Sequence, residues 1–215
     1  AVAPEAALAR GELGDDVFRE QLFAKGDIEA VIHFAGSIIV PESVADPLGY
    51  YGNNTCVSRA LIESAVQHGV KHFIFSSTAA VYGSAGSEPV SEDTILLPES
   101  PYGRSKLMTE TMLADTAAAF DFRYTALRYF NVSGADPKGR TGQSTKGATH
   151  LIKVASETAL GKRPLMQIFG TDYDTPDGTC VRDFIHVSAL AEAHYLALQR
   201  LRAGGGSLVA NCGYG

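Results

Sequence analysis

A tyrosine and a lysine four residues apart, in Tyr102-Gly103-Arg104-Ser105-Lys106, are the residues whose types and spacing most plainly could do chemistry. On a helix, positions i and i+4 share one face, which sets an ammonium beside a phenol. A neighbouring cation favours phenolate and lowers the phenol's pKa. The partial positive charge of a helix N-terminus acts in the same direction. A tyrosine tuned in this way takes a proton from an alcohol as hydride leaves the same carbon. The lysine adds donors that suit sugar hydroxyls. Tyrosine four residues before lysine is also common on any solvated helix, so the pair needs context. Upstream, Phe73-Ile74-Phe75-Ser76-Ser77-Thr78 reads as a buried strand ending in three hydroxyl residues. Ligands of open α/β sheets bind at such carboxyl ends, which puts Thr78 in reach of a reacting hydroxyl and of Tyr102. A third strand end, Val31-Ile32-His33-Phe34-Ala35-Gly36, reaches the same edge, with Gly36 allowing close backbone approach to a ligand.

The elements that must position these residues alternate between short apolar runs and longer helical patterns, the signature of βαβ units on a parallel sheet. The expected strands are 30–34, 73–76 and 124–129, each nearly continuous in apolar residues, as strands covered on both faces should be. Asp15 and Asp16 can cap a helix whose Phe18 and Leu22 share a face, with Gly26 past its end. Asn53 and Asn54 precede Val57, Ala60, Leu61 and Ala65, and Gly69 closes that helix. Ser100-Pro101 reads as an N-cap and first helical residue of a long helix running towards Phe120. Ser188 is the expected cap of a last helix carrying Leu190, Ala193, Ala197 and Leu201. Pro137 to Gly147 reads as an exposed loop, and Gly204-Gly205-Gly206 as a turn. The fold class is α/β, a doubly wound, Rossmann-type parallel sheet.

Bulk properties narrow the function. The 215 residues carry a formal charge of −6, without the basic patch expected of a nucleic-acid binder, so no nucleic-acid partner is expected. No apolar run of about 18 residues is present, so no membrane span is expected. Three scattered cysteines, Cys56, Cys180 and Cys212, read as reduced core thiols of a cytoplasmic protein. His68 and His72 are separated by Gly69 and Val70, which break the helix between them, and no third zinc ligand is evident. The acidic run 172–177 fails the spacing of a calcium loop, so no metal site is expected. No Gly-x-Ser-x-Gly elbow is present, which argues against a serine hydrolase.

Six strings together, VIHFAG (31–36), YYGNN (50–54), FIFSSTAAVYG (73–83), SPYGRSK (100–106), LRYFNVSGA (127–135) and DGTCVRDFIHV (177–187), resemble the extended short-chain dehydrogenase/reductase family, and within it the UDP-glucose 4-epimerases. The resemblance spans nearly the whole chain. It implies an isomerase with bound NAD and a UDP-sugar substrate, in which Tyr102 is the acid/base, Lys106 binds the nicotinamide ribose and tunes it, and Thr78 orients the sugar 4-hydroxyl. It places Phe34, Ala35, Gly36, Ser37, Ile38, Asn53, Ser76 and Tyr129 along the cofactor, Glu12 and Leu13 at the adenine, and Phe130 on the nicotinamide side. On the substrate side it places Asn131 at phosphate or sugar, His150 and Leu151 nearby, Gln167 and Phe169 at the uracil, and Arg182 on the diphosphate. The implied domains are an NAD-binding part at 1–130 and 181–203, part of a smaller nucleotide-sugar-binding subdomain at 131–180, and the start of a further substrate-binding region at 204–215. A homodimer through the helices near 53–69 and 101–119 is also implied.

Departures from the family pattern are informative. The Gly-x-x-Gly-x-x-Gly loop that cradles pyrophosphate, expected before Gly11, is absent, as is the final third of family members, so the chain reads as a fragment at both ends. Ile38 stands where some relatives carry a cofactor-facing lysine, and His150 where others carry asparagine. A 4,6-dehydratase shares the Tyr/Lys pair but needs an acid and a base after the threonine, where this chain has Ala79-Ala80. Epimerases of UDP-galacturonate or UDP-arabinose, and a non-catalytic nucleotide-binding module, are the other readings.

Overall fold

The computed structural model describes residues 5–84, 86, 88–145 and 147–214. Ala1–Pro4 and Gly215, at the limits of the expected domains, and Lys146 of the expected loop lie outside the described residues. Strands β1 (Ala30–His33), β2 (His72–Ser76), β3 (Arg123–Tyr129) and β6 (Leu208–Cys212) form one sheet in the order β1-β2-β3-β6, all parallel. Parallel neighbours cannot be joined by tight turns and need long crossovers. The first crossover carries α2 (Val40–Ala45), α3 (Pro47–Tyr50), a π-helical turn (Tyr51–Cys56) and α4 (Val57–Gln67). The second carries α5 (Pro101–Ala119), and α7 (Val187–Arg202) leads into β6.

Both faces of the sheet are covered, which is why its strands read as unbroken apolar runs. Phe73, Phe75, Tyr124 and Ala126 pack with Leu61 and Ala65 of α4 and Leu113 of α5. The alternate residues Ile74 and Leu127 pack on the other face with Ala197 and Leu201 of α7. The strand period of two and the helical period of 3.6 thus meet in two cores on opposite sides of one sheet. The expected doubly wound architecture is present.

Capping follows the sequence in some places and departs from it in others. Asp15 accepts from the Val17 amide at the start of α1 (Asp16–Phe23), and Ser100 accepts from the Gly103 amide with Pro101 in the first turn of α5. Asn53 and Asn54 do not stand ahead of a helix start. They lie within a continuous helical run from Pro47 to Gln67, in its π-helical turn. Ser188 is not the cap of α7, because the His186 side chain accepts from the Ser188 amide and takes that role. The cysteines are free, but Cys56 and Cys180 are exposed and Cys212 is half-buried, so they are not core thiols.

A separate two-stranded parallel sheet joins β4 (Asn131–Ser133) to β5 (Phe184–His186), with Asn131 opposite Phe184. The intervening α6 (Leu151–Ala159) has no buried residue. Among the described residues no helix is long and apolar enough to cross a membrane, and no cluster of three potential metal ligands occurs.

Candidate active site

One stripe of α5 grips the turn that follows β2. The Thr78 side chain lies close enough to the Tyr102 phenol to act on its ionisation. One turn along, the Lys106 ammonium donates to the Ser76 carbonyl at 2.9 Å and lies 4.9 Å from the centre of the Phe75 ring. Both groups therefore converge on the carboxyl end of β2, on one side of their helix. Thr78 caps the short 3-10 turn Ala79–Val81 by accepting from the Ala80 amide at 3.1 Å, which fixes its side chain. The N-terminus of α5 reaches this turn because residue 103 is glycine. A Cβ there would meet the Ala80 carbonyl oxygen at 2.7 Å and Pro98 Cβ at 3.0 Å.

The loop after β1 is held from the π-helical turn, a distortion often found at functional sites. Asn54, which is buried, accepts from the Ser37 amide at 2.8 Å and donates to the Ser37 carbonyl at 2.9 Å and to Ser105 Oγ at 3.1 Å. Asn53 donates to Ser37 Oγ at 2.9 Å. Gly36 sits at φ +152°, and a Cβ on it would lie 3.1 Å from Asn54 Oδ1 and 3.8 Å from Lys106 Nζ. The Gly36 backbone and the Lys106 ammonium thus line one cradle. Phe34 and Ile38 beside it are 56% and 54% exposed, apolar surface at the sheet's carboxyl edge. Leu13, Phe34 and Ala35 also line a hollow of about 420 Å³ along β1, and Glu12 is exposed next to it.

Electrostatics correct one sequence expectation. Burial pushes the Tyr102 phenol up to about 12, and the neighbouring Thr78 side chain only partly opposes that. The expected lowering by Lys106 and the helix terminus is not met in the chain by itself. Burial brings the Lys106 amine down to about 8, so its charge is itself poorly solvated. His33, at the end of β1, is brought down to about 4, first by burial and then by the Lys106 charge. It is neutral at pH 7, shares a hydrogen bond with Ser58 Oγ at 2.9 Å, and stacks on Phe75.

The remaining expected residues fall into two groups. Ser76 Oγ and the Tyr129 hydroxyl share a hydrogen bond, which joins the carboxyl ends of β2 and β3. Phe130 follows on the same side, near Gly213 beyond β6. Asn131 donates through both its amide and its side chain to the Asp183 carbonyl at 3.1 Å, which ties β4 to the strand carrying Phe184. His150 precedes α6 and bonds Gln143 at 2.8 Å, while Leu151 is exposed. Gln167, Phe169 and Arg182 are exposed between α6 and β5. Among the described residues, no hydrogen bond or ring contact joins these three to Tyr102, Lys106 or Thr78.

Sequence reasoning missed three residues that hold the site: Asn54, Glu110 and Arg128. Asn54 carried a signal in the Asn53-Asn54 pair, and Glu110 lies at i+8 from Tyr102 on the same helical face, whereas nothing local to Arg128 marks it.

Comparisons agree with this geometry. The profile of the NAD dependent epimerase/dehydratase family matches residues 1–213. The UDP-glucose 4-epimerase of Azospirillum brasilense is 57% identical over 215 residues, covering 100% of this chain and 62% of that protein. The crystal structure of UDP-glucose 4-epimerase from Brucella ovis in complex with NAD superposes with a TM-score of 0.91 at 44% identity, covering 95% of this chain and 63% of that one. The Bifidobacterium longum enzyme, in complex with NAD+ and UDP, gives a TM-score of 0.90 at 40% identity, covering 95% of this chain and 62% of that one. The chain thus spans less than two thirds of the length of these relatives. With its parallel sheet, its Tyr102–Thr78 contact and its Lys106 beneath the same edge, this chain belongs to the NAD dependent epimerase/dehydratase family.

Proposed function

We propose that the protein carrying this chain interconverts UDP-glucose and UDP-galactose by epimerisation at C4, with NAD as bound cofactor. The observation that carries the reading is the convergence of Tyr102, Thr78 and the buried Lys106 ammonium at the carboxyl end of β2. The residues fit the cofactor. Gly36 leaves space that a side chain would fill, exposed Phe34 and Ile38 offer apolar surface, and Lys106 supplies donors suited to a ribose diol. Glu12, Leu13, Ala35, Ser37, Asn53, Ser76, Tyr129 and Phe130 complete the proposed cofactor contacts.

When bound, NAD would supply the hydride acceptor and a positive charge. The protein handles the proton. At pH 7 a phenol of pKa about 12 lies on the order of 7 kcal/mol from its phenolate, so Tyr102 becomes a base only with positive charge close by. Thr78 orients the sugar 4-hydroxyl and passes its proton to Tyr102. The resulting 4-keto sugar turns over and takes the proton back from Tyr102 on regaining hydride at its opposite face. This turn requires a loosely held sugar and a firmly held nucleotide. Asn131, His150, Leu151, Gln167, Phe169 and Arg182 are the proposed nucleotide-sugar contacts, with Arg182 neutralising the diphosphate.

The domain division at 131, 181 and 204 belongs to the same proposal. So does a cytoplasmic homodimer, supported by three free thiols and by the exposed Leu48 and Met108 on the helical layer near the proposed interface. In the full-length protein, conversion of UDP-galactose to UDP-glucose is measured by coupling to UDP-glucose oxidation, with UDP-galacturonate and UDP-arabinose as competing substrates. Tyr102→Phe is expected to lower turnover by about 10²-fold or more. A variant with full turnover sinks the assignment.

A further inference from the structure

A buried ion pair stands behind the site and takes no part in the proton transfer just described. Arg128 of β3 and Glu110 of α5 have side chains only 5% exposed. Arg128 Nε donates to both Glu110 carboxylate oxygens at 3.1 and 3.2 Å, and its Nη2 donates to Oε2 at 2.6 Å. Its Nη1 donates to the Tyr82 hydroxyl at 2.9 Å, and that hydroxyl donates to Asn211 Oδ1 of β6 at 2.7 Å. Desolvating two charges offsets most of their attraction, and an apolar pair of similar volume is often as stable. Stability alone therefore does not account for the arrangement.

Its geometry does. Tyr102, Lys106 and Glu110 are spaced i, i+4, i+8, which puts them along one stripe of α5. They grip three consecutive residues: Lys106 the Ser76 carbonyl, Glu110 the Ser77 hydroxyl and Tyr102 the Thr78 side chain. Ser77 is 1% exposed, and its amide donates to the Leu127 carbonyl of β3 at 2.9 Å. The turn is thus clamped from α5 and β3 together, and Arg128 is what orients the Glu110 carboxylate.

We infer that Glu110, oriented by Arg128, is a positioning residue which, by accepting a hydrogen bond from the Ser77 hydroxyl, sets the turn so that Thr78 and Tyr102 meet at the reacting alcohol. This rests on the proposed epimerase chemistry. Loosening the clamp moves Thr78 away from Tyr102, and Thr78 is the neighbour that lowers the phenol's pKa. It should slow the proton step while leaving nucleotide binding alone.

The test uses the full-length enzyme in the coupled assay, with Ser77→Ala, the apolar pair Glu110→Met with Arg128→Met, and Tyr102→Phe. Ser77→Ala is expected to lower kcat by about tenfold, the rate equivalent of one hydrogen bond to a charged group, with KM held within about twofold. The acid limb of its kcat–pH profile should move to higher pH, which a merely structural role would not produce. The apolar pair should unfold near the parental temperature and show the same kcat loss. Parental kcat and acid limb in both variants overturn the inference, as does failure of both to fold, which would place the network in stability alone. An inactive parent, or an active Tyr102→Phe, instead overturns the functional reading on which the inference rests.

Discussion

Replacing Lys106 with methionine removes a buried charge, and the consequence for stability depends on pH in a way that can be worked out. Its folded pKa of about 8 lies below the ordinary 10.5 because burial penalises the ammonium. Between those two values the unfolded chain binds more protons than the folded one, so the stability of the parent rises with pH across that window. Below pH 8 the full penalty applies, on the order of 3 kcal/mol from about 1.4 kcal/mol per tenfold in protonation. Between pH 7 and pH 9.5 about 2 kcal/mol of it should be recovered by the parent and none by Lys106→Met. Urea unfolding of the cofactor-free protein at the two pH values, parent against variant, reads this directly. The stability of parent minus variant should increase by about 2 kcal/mol at the higher pH. A flat difference would mean that the amine is solvated. A decrease would mean that an opposite charge holds it, and either result refutes the desolvated cradle described for Gly36 and Lys106.

Other perturbations probe the scaffold. Gly103→Ala forces a methyl to within 2.7 Å of the Ala80 carbonyl oxygen, so it should cost about 1–3 kcal/mol by thermal unfolding and lower turnover through the displaced Tyr102. Asn54→Leu strips the Ser37 peptide of both its side-chain partners and should cost about 1–3 kcal/mol while weakening NAD retention on gel filtration. Leu113→Ala empties a fully buried position between α5 and the sheet and should lower stability by about 2–5 kcal/mol in urea without changing KM.

How far the sequence revealed these features follows from what local pattern encodes. The central strands were legible because both faces of β2 and β3 are covered, so Phe73-Ile74-Phe75 carries no polar interruption. The start of α5 was legible because Ser100-Pro101 supplies a cap and a fixed φ within two residues. By contrast, Pro47-Leu48-Gly49 has the composition of a turn, yet it opens a helix that runs without a break into the π-helical turn. Three-residue strands such as β4 and β5 leave no periodicity to read. At the site, spacing correctly placed Tyr102 and Lys106 on one face, but it holds no information about solvation, and burial reversed the expected pKa shift. The Glu110–Arg128 pair joins elements 18 residues apart in the chain, and only the folded sheet brings them together.

The central claim is that the Tyr102 phenol is a weak acid in the protein alone and becomes a base when positive charge is brought beside it. Magnetic-resonance titration of isotope-labelled tyrosine, with the Tyr102 signal assigned by its loss in Tyr102→Phe, tests this in one experiment. Without cofactor the phenol should titrate near 12, leaving only roughly 3% phenolate at pH 10.5, and adding NAD should bring the midpoint down. A midpoint near the ordinary 10 in the free protein, or one that NAD leaves unchanged, would contradict the account.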